Sequence, residues 1–138
     1  MSGMKPVIEF QKYRIKNIDY RVVDNIDELK TYDEKNGKIS LAIGLNESKD
    51  KAQLTVSTCV SDSDNLRVAD ISVIGYFEIN PEVEQEEIEQ YLVQNGTAIL
   101  FPYLRTTISF ITSLDNDKAI IIPTINTIGL FEEESEED

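Results

Sequence analysis

The chain has 138 residues, 13 Lys and Arg against 26 Asp and Glu, no histidine, and a formal charge of −13. That length suits one domain with a buried core, and a hydrophobic content of 41% argues against wholesale disorder. A chain so acidic lacks the basic surface that displaces counterions from phosphate, which excludes direct nucleic-acid binding, and it is repelled by anionic membranes.

Met1 to Pro6 contains no apolar segment of the kind a secretory signal needs, and no apolar run approaches the length of a membrane span. Cys59 is the only cysteine, so no intramolecular disulfide can form. The cytoplasm is the expected location. The charge suits basic partners, or a need to stay soluble while presenting apolar surface.

Residues 7–23 are β-branched and aromatic and predict one long strand. Its alternation is broken: Ile8 and Phe10 share one parity, Tyr13 and Ile15 the other, and Ile18, Tyr20 and Val22 return to the first. A bulge, or a strand covered on both faces in turn, explains such a pattern. From Asp24 to Gly37 the chain is polar, with Ile26, Leu29 and Tyr32 isolated in it, and reads as a long connection rather than a helix. Three regular strands follow, carrying Ile39 to Leu45, Leu54 to Val60 and Ile71 to Ile79. Polar turns at Asn46–Asp50 and Ser61–Asn65 join them, which predicts an antiparallel meander.

Pro81 opens an acidic segment with Val83, Ile88, Tyr91 and Leu92 inside it and Asn95-Gly96 as its expected stop, a short helix. Thr97 to Ser113 sets Leu100, Leu104, Ile108 and Ile111 at helical spacing, with Arg105, Thr106, Ser109 and Thr112 mostly opposite. Pro102 fits the first turn or a kink. After the run Ala119–Ile122 and Pro123, the chain reaches Glu132 to Asp138, a stretch too charged to pack and expected to be disordered. Residues 1–131 read as a single domain.

Without histidine the chain has no imidazole for acid–base or nucleophilic catalysis and lacks the commonest metal ligand. Cys59, inside an alternating strand, reads as a small buried apolar residue rather than a reactive thiol. Asp62-x-Asp64-Asn65 opens like a calcium loop but lacks the following glycine and the distal glutamate, so a hairpin turn is the better reading. No catalytic residue, metal site or cofactor is expected, and the chain reads as a binding protein rather than an enzyme.

The most specific segment is Leu100-Phe101-Pro102-Tyr103-Leu104-Arg105. It resembles the Leu-Phe-Pro-Tyr-x-Arg run that opens the principal helix of the SecB protein-export chaperone family. Gly75-Tyr76-Phe77-Glu78-Ile79 is similar to that family's Gly-Ile-Phe-x-Ile strand end, and Pro123, Ile125-Asn126 and Leu130-Phe131 to its C-terminal segment. Phe10-Gln11 and the strand through Tyr20 resemble its first strand, so the similarity runs from about residue 7 to residue 131.

The resemblance implies an α+β fold, a four-stranded antiparallel sheet backed by helices, assembled as a homotetramer that is a dimer of dimers. It implies an ATP-independent holdase whose apolar grooves take non-native polypeptide clients. Tyr20, Val22, Val23, Ile26, Leu29, Tyr32, Leu130 and Phe131 correspond to the groove; the residues of the connection either line it or merely anchor the loop. In exporting members an acidic sheet face receives the basic tail of the SecA translocation ATPase. Asp70 matches one acid of that face, but Asn17 and Arg21 stand where the other two would be, which weakens docking. Thr106 stands in place of the family's Glu, and Gly96-Thr97 in place of its Cys-Pro. These departures fit a divergent branch, for which a chaperone dedicated to one partner, such as an antitoxin, is an alternative. A further alternative is an acidic adaptor or inhibitor that docks on a folded basic protein through Glu82–Glu89 and the tail. Salt would abolish that binding and spare an apolar groove.

Overall fold

Apolar residues alternating in four segments pair into one antiparallel sheet. The computed structural model of the chain describes residues 6–122. It comprises β1 (Ile8–Val22), α1 (Ile26–Lys30), β2 (Ile39–Leu45), β3 (Lys51–Asp62), β4 (Arg67–Ile79), α2 (Gln85–Tyr91) and α3 (Thr97–Asp115). The strand order is β1-β4-β3-β2, so the predicted meander β2-β3-β4 receives β1 along its free edge.

The broken alternation of β1 is resolved by two bulges. Register shifts fall between Phe10 and Lys12 and between Ile15 and Asn17, leaving Gln11 and Lys16 without partners on β4. Each extra residue resets the side-chain parity. Ile8, Phe10, Tyr13, Ile15, Ile18, Tyr20 and Val22 therefore all stand opposite the odd-numbered positions of β4, on one face.

That face is the core. Leu54 and Val56 of β3 and Ile71, Val73, Phe77 and Ile79 of β4 are buried against Leu100, Phe101, Leu104 and Ile108 of α3. Two glycines set how closely the helix lies. A Cβ on Gly75 would stand 2.8 Å from Leu100 Cδ1, and one on Gly96 2.8 Å from Leu54 Cδ2. Gly96, expected to stop a helix, instead has helical φ −63 and ψ −43. α2 runs into α3 through one π-helical turn, Leu92–Gly96, in which the Thr97 N–H reaches back to the Leu92 carbonyl. The glycine is required by close approach to β3 rather than by a terminus. Pro102 lies inside α3, past its first turn.

Thr112, expected opposite the apolar stripe, is fully buried. Its hydroxyl donates to the Ile108 carbonyl at 2.7 Å and accepts from the Ile120 N–H at 2.8 Å, so it stitches the following segment onto the helix. Thr97 Oγ1, also buried, has no partner among the described residues. Thr97→Val, which keeps the shape and removes an unpaired hydroxyl, is expected to stabilise the fold by about 1 kcal/mol. Urea unfolding measures this as a raised midpoint at constant slope.

The connection after β1 is not purely a loop. Asn25 Oδ1 accepts from the Glu28 N–H at 2.9 Å, and the Glu28 carboxylate accepts from the Asp24 N–H at 2.9 Å, starting the short α1. Val23 and Leu29 pack on Cys59 and Val68, on the sheet face opposite α3. The connection thereby crosses one end of that outer face on its way from β1 to β2, at the other edge of the sheet.

Candidate functional site

Among the described residues no three His, Cys, Asp or Glu side chains gather where a metal could be held, and no helix is long and apolar enough to cross a membrane. Cys59 is buried beneath α1. Burial pushes its thiol up, the Asp70 and Asp19 charges add to this, and Lys35 opposes them. A thiol held protonated is a poor nucleophile. Alkylation of native protein by a thiol reagent is expected to be at least tenfold slower than that of urea-unfolded protein, read by mass spectrometry.

The Asp62 turn is a hairpin and also an anchor. Its carboxylate accepts from the Asp64 and Asn65 backbone, from Asn65 Nδ2 at 2.8 Å and from Arg67 Nε at 2.9 Å. Arg67 is 1% exposed, and its other nitrogens donate to the carbonyls of Thr112, at 2.9 Å, and Lys118. Nearby, the Tyr20 hydroxyl donates to Asp115 at 2.7 Å, and Asn116 Nδ2 to Asn65. Burial and Asp115 together push the Tyr20 phenol up.

Burial pushes the Asp62 carboxyl up, but hydrogen bonds from Asn65 and Arg67, with the Arg67 charge, outweigh it and hold Asp62 below the usual carboxylate range. Asp62 therefore stabilises the fold above its unfolded pKa, about 3.9, and that stabilisation fades as pH falls through the lower folded value. Asp62→Asn is expected to be less stable than wild type at neutral pH, with the gap narrowing below about pH 4. Urea midpoints across the acid range check this.

The groove residues expected from the resemblance separate into three settings. Tyr20 packs against the main core, and Val23, Leu29 and Tyr32 hold α1 on the outer face. Val22 and Ile26 are exposed, by 60% and 45%. Leu130, Phe131 and the acidic stretch 132–138 lie outside the described residues. Of the docking acids, Asp70 is half-buried opposite Asp19 of β1. Arg21 neutralises Asp19 at 2.6 Å, and Asn17 faces Ser72.

An apolar surface lies elsewhere too. Tyr13, Ile15, Ile18 and Val22 are on the core face of β1, yet all are exposed because α3 lies mainly over β4 and only its flank reaches β1. Tyr13 stacks on Tyr103 with ring centroids 3.9 Å apart. From Tyr103, helical spacing leads to Phe110 and Leu114, exposed by 62% and 70%. The β1 stripe and this helix flank form one apolar strip on a strongly acidic protein. Sequence reasoning assigned Phe110 and Leu114 no role. Tyr13, Ile15 and Ile18 belong to one exposed stripe only once the second bulge is counted.

The fold matches that of the Mycobacterium tuberculosis Rv1957 SecB-like chaperone, solved in complex with a ChAD peptide from the Rv1956 HigA1 antitoxin. The TM-score is 0.67 at 14% identity, over 86% of this chain and 91% of that one. A Streptococcus agalactiae protein of unknown function matches with a TM-score of 0.63 at 13% identity, over 90% of this chain and all of that one. In sequence, the uncharacterized protein MJ0357 of Methanocaldococcus jannaschii is 30% identical over 135 residues, 92% of this chain and 84% of the relative. The protein-export protein SecB of Anaplasma phagocytophilum is 29% identical over 73 residues, 51% of this chain and 46% of its own. The family model for the preprotein translocase subunit SecB spans residues 2–138. With that match along the chain, and with the Leu100–Arg105 run opening onto buried Leu104 of the principal helix, the protein belongs to the SecB family.

Proposed function

We propose that the chain is a cytoplasmic, ATP-independent holdase that keeps non-native polypeptides from aggregating. The observation that carries this reading is the exposed apolar strip from Tyr13 through Val22 to Phe110 and Leu114 on a chain of net charge −13. An apolar strip of that extent is a binding surface in a soluble protein, and the charge keeps a loaded complex in solution. Family membership supports a chaperone role. In this reading Tyr13, Ile15, Ile18, Phe110 and Leu114 join copies into a dimer of dimers, and Val22, at the end of the strip, leads with Ile26 into the client groove.

Dedication to one partner is the second reading. The SecB-like chaperone of similar fold holds an antitoxin peptide, and this chain lacks two of the acids that would receive the SecA tail. SecA docking is accordingly expected to be weak.

Light scattering of a chemically unfolded protein diluted into buffer with the chain tests the holdase. Suppression of aggregation that is indifferent to ATP and survives about 0.5 M salt is the expected result, because apolar contacts are not screened. No suppression at any salt would sink general chaperoning. Suppression only at low salt would indicate a charge-based adaptor instead.

A further inference from the structure

The middle of the outer face of the sheet, opposite α3, has a charge pattern unlike the rest of the molecule. The crossing connection covers the end that carries Val68 and Cys59. Beyond it, the register sets three rows of side chains across all four strands. Ser40, Ala42 and Gly44 of β2 lie beside Ser57, Thr55 and Gln53 of β3. Those in turn lie beside Ser72, Ile74 and Tyr76 of β4, which face Asn17, Arg14 and Lys12 of β1.

These twelve positions hold two cations and no acid, on a chain with 26 acids against 13 bases. Lys12 Nζ sits 5.2 Å from the centre of the Tyr76 ring, and neither Lys12 nor Arg14 has an ion-pair partner among the described residues. Small side chains leave the β2 half shallow: a Cβ added at Gly44 would meet nothing within 4 Å. A concavity of about 650 Å³ opens there, with Lys12, Lys51, Gln53 and Tyr76 in its walls and Glu78 its one acid.

We propose that the middle of this face docks an acidic, extended segment of a partner polypeptide, with its carboxylates on Lys12 and Arg14 and its backbone over the Ser, Thr and Gln side chains. Charge complementarity selects an acidic partner, because within the three rows Lys12 and Arg14 stand among neutral side chains with no carboxylate, the nearest acids on this side being Glu78 and Glu9 in the next row. Area selects a segment rather than a folded domain. Three inter-strand spacings by two steps along the strands come to roughly 200–300 Å², against about 800 Å² per partner in a stable protein–protein interface. Glu9 and Glu78 in the row beyond Lys12, and Asp19 and Asp70 in the row before Asn17, bound the patch and confine such a segment to the three rows between them; at physiological ionic strength charges more than about 8 Å away are largely screened. This surface is separate from the apolar strip, so its test can fail while the holdase reading stands.

Fluorescence anisotropy of the full chain with a labelled peptide of alternating Glu and Ser, about ten residues long, tests the proposal against the same peptide with Lys for Glu. At about 0.15 M ionic strength the acidic peptide is expected to bind roughly tenfold tighter or more. The double variant K12E/R14E, with its fold checked by its urea midpoint, is expected to lose that preference. R105E, on α3 and away from the outer face, is expected to keep it. Equal binding of both peptides, or an unchanged preference in K12E/R14E, would overturn the proposal. Displacement of the acidic peptide by an equal concentration of a single-stranded oligonucleotide would overturn the assignment to a polypeptide. Deletion of residues 132–138 is expected to leave the affinity within about threefold; a tenfold rise would make the chain's own acidic segment the occupant and overturn an external partner.

Discussion

Arg67→Ala is expected to lower the stability of the fold by roughly 3–5 kcal/mol, the range for removing one partner of a buried, hydrogen-bonded ion pair. The side chain is fully buried and joins three parts of the molecule: the Asp62 turn, the end of α3 through the Thr112 carbonyl, and the following segment through the Lys118 carbonyl. Truncation strips the Asp62 carboxylate of its cation and takes the Arg67 donors from both carbonyls, that of Thr112 in a buried setting. Arg67→Met should recover part of the packing but none of the hydrogen bonds, and so fall between wild type and alanine. Chemical unfolding measures the loss. Amide hydrogen exchange should find it greatest around Ile120, whose N–H is held by Thr112 Oγ1. A cost below about 1 kcal/mol would show that water replaces the guanidinium and that Arg67 is no anchor.

The double substitution Ile15→Asp with Ile18→Asp is expected to reduce suppression of client aggregation by tenfold or more while leaving the fold intact. Both side chains are exposed on the core face of β1, so in the lone chain each carboxylate stays hydrated and costs little. Covering the strip with another copy or with a client would desolvate two carboxylates, at several kcal/mol each. Light scattering coupled to size exclusion separates the two uses of the surface. If the strip joins copies, the double variant runs as a smaller species. Val22→Asp with Ile26→Asp, at the groove end beyond Ile18, should then keep the assembly and lose client protection. An unaltered assembly with unaltered protection would remove the strip from the mechanism.

Much of this architecture was legible in the residues. Alternation in β2, β3 and β4 marked the strands and their buried faces, because a half-covered sheet enforces a period of two. The Leu100, Leu104 and Ile108 spacing marked the principal helix. Other features were masked by rules that point two ways. Asn95-Gly96 reads as a helix stop, yet Gly96 is required where a Cβ would collide with Leu54, a long-range contact that no local rule sees. Asn25-x-x-Glu28 carries a capping signature, but the segment has too few apolar residues for helical periodicity to show. Thr112 counts as polar in any pattern and is buried only because a segment eight residues later donates to its oxygen. The groove positions of the connection, Ile26, Leu29 and Tyr32, look alike in sequence. Their separation into exposed and anchored residues depends on where Cys59 and Val68 lie beneath them.

β1 has 15 residues and its neighbour β4 has 13, and the two bulged positions account for the difference. Gln11 and Lys16 are thus spare residues. Deleting either one closes a bulge and leaves every other side chain of the strand on its present face. Deleting Arg14 instead would put Tyr13 and Ile15 on opposite faces. The strand therefore has two positions at which its length can change without inverting its pattern. Since bulges increase local twist, such deletions would straighten the sheet edge and alter the angle at which Tyr13 meets Tyr103. Natural length variation at these two points would adjust the shape of the exposed strip without changing its composition.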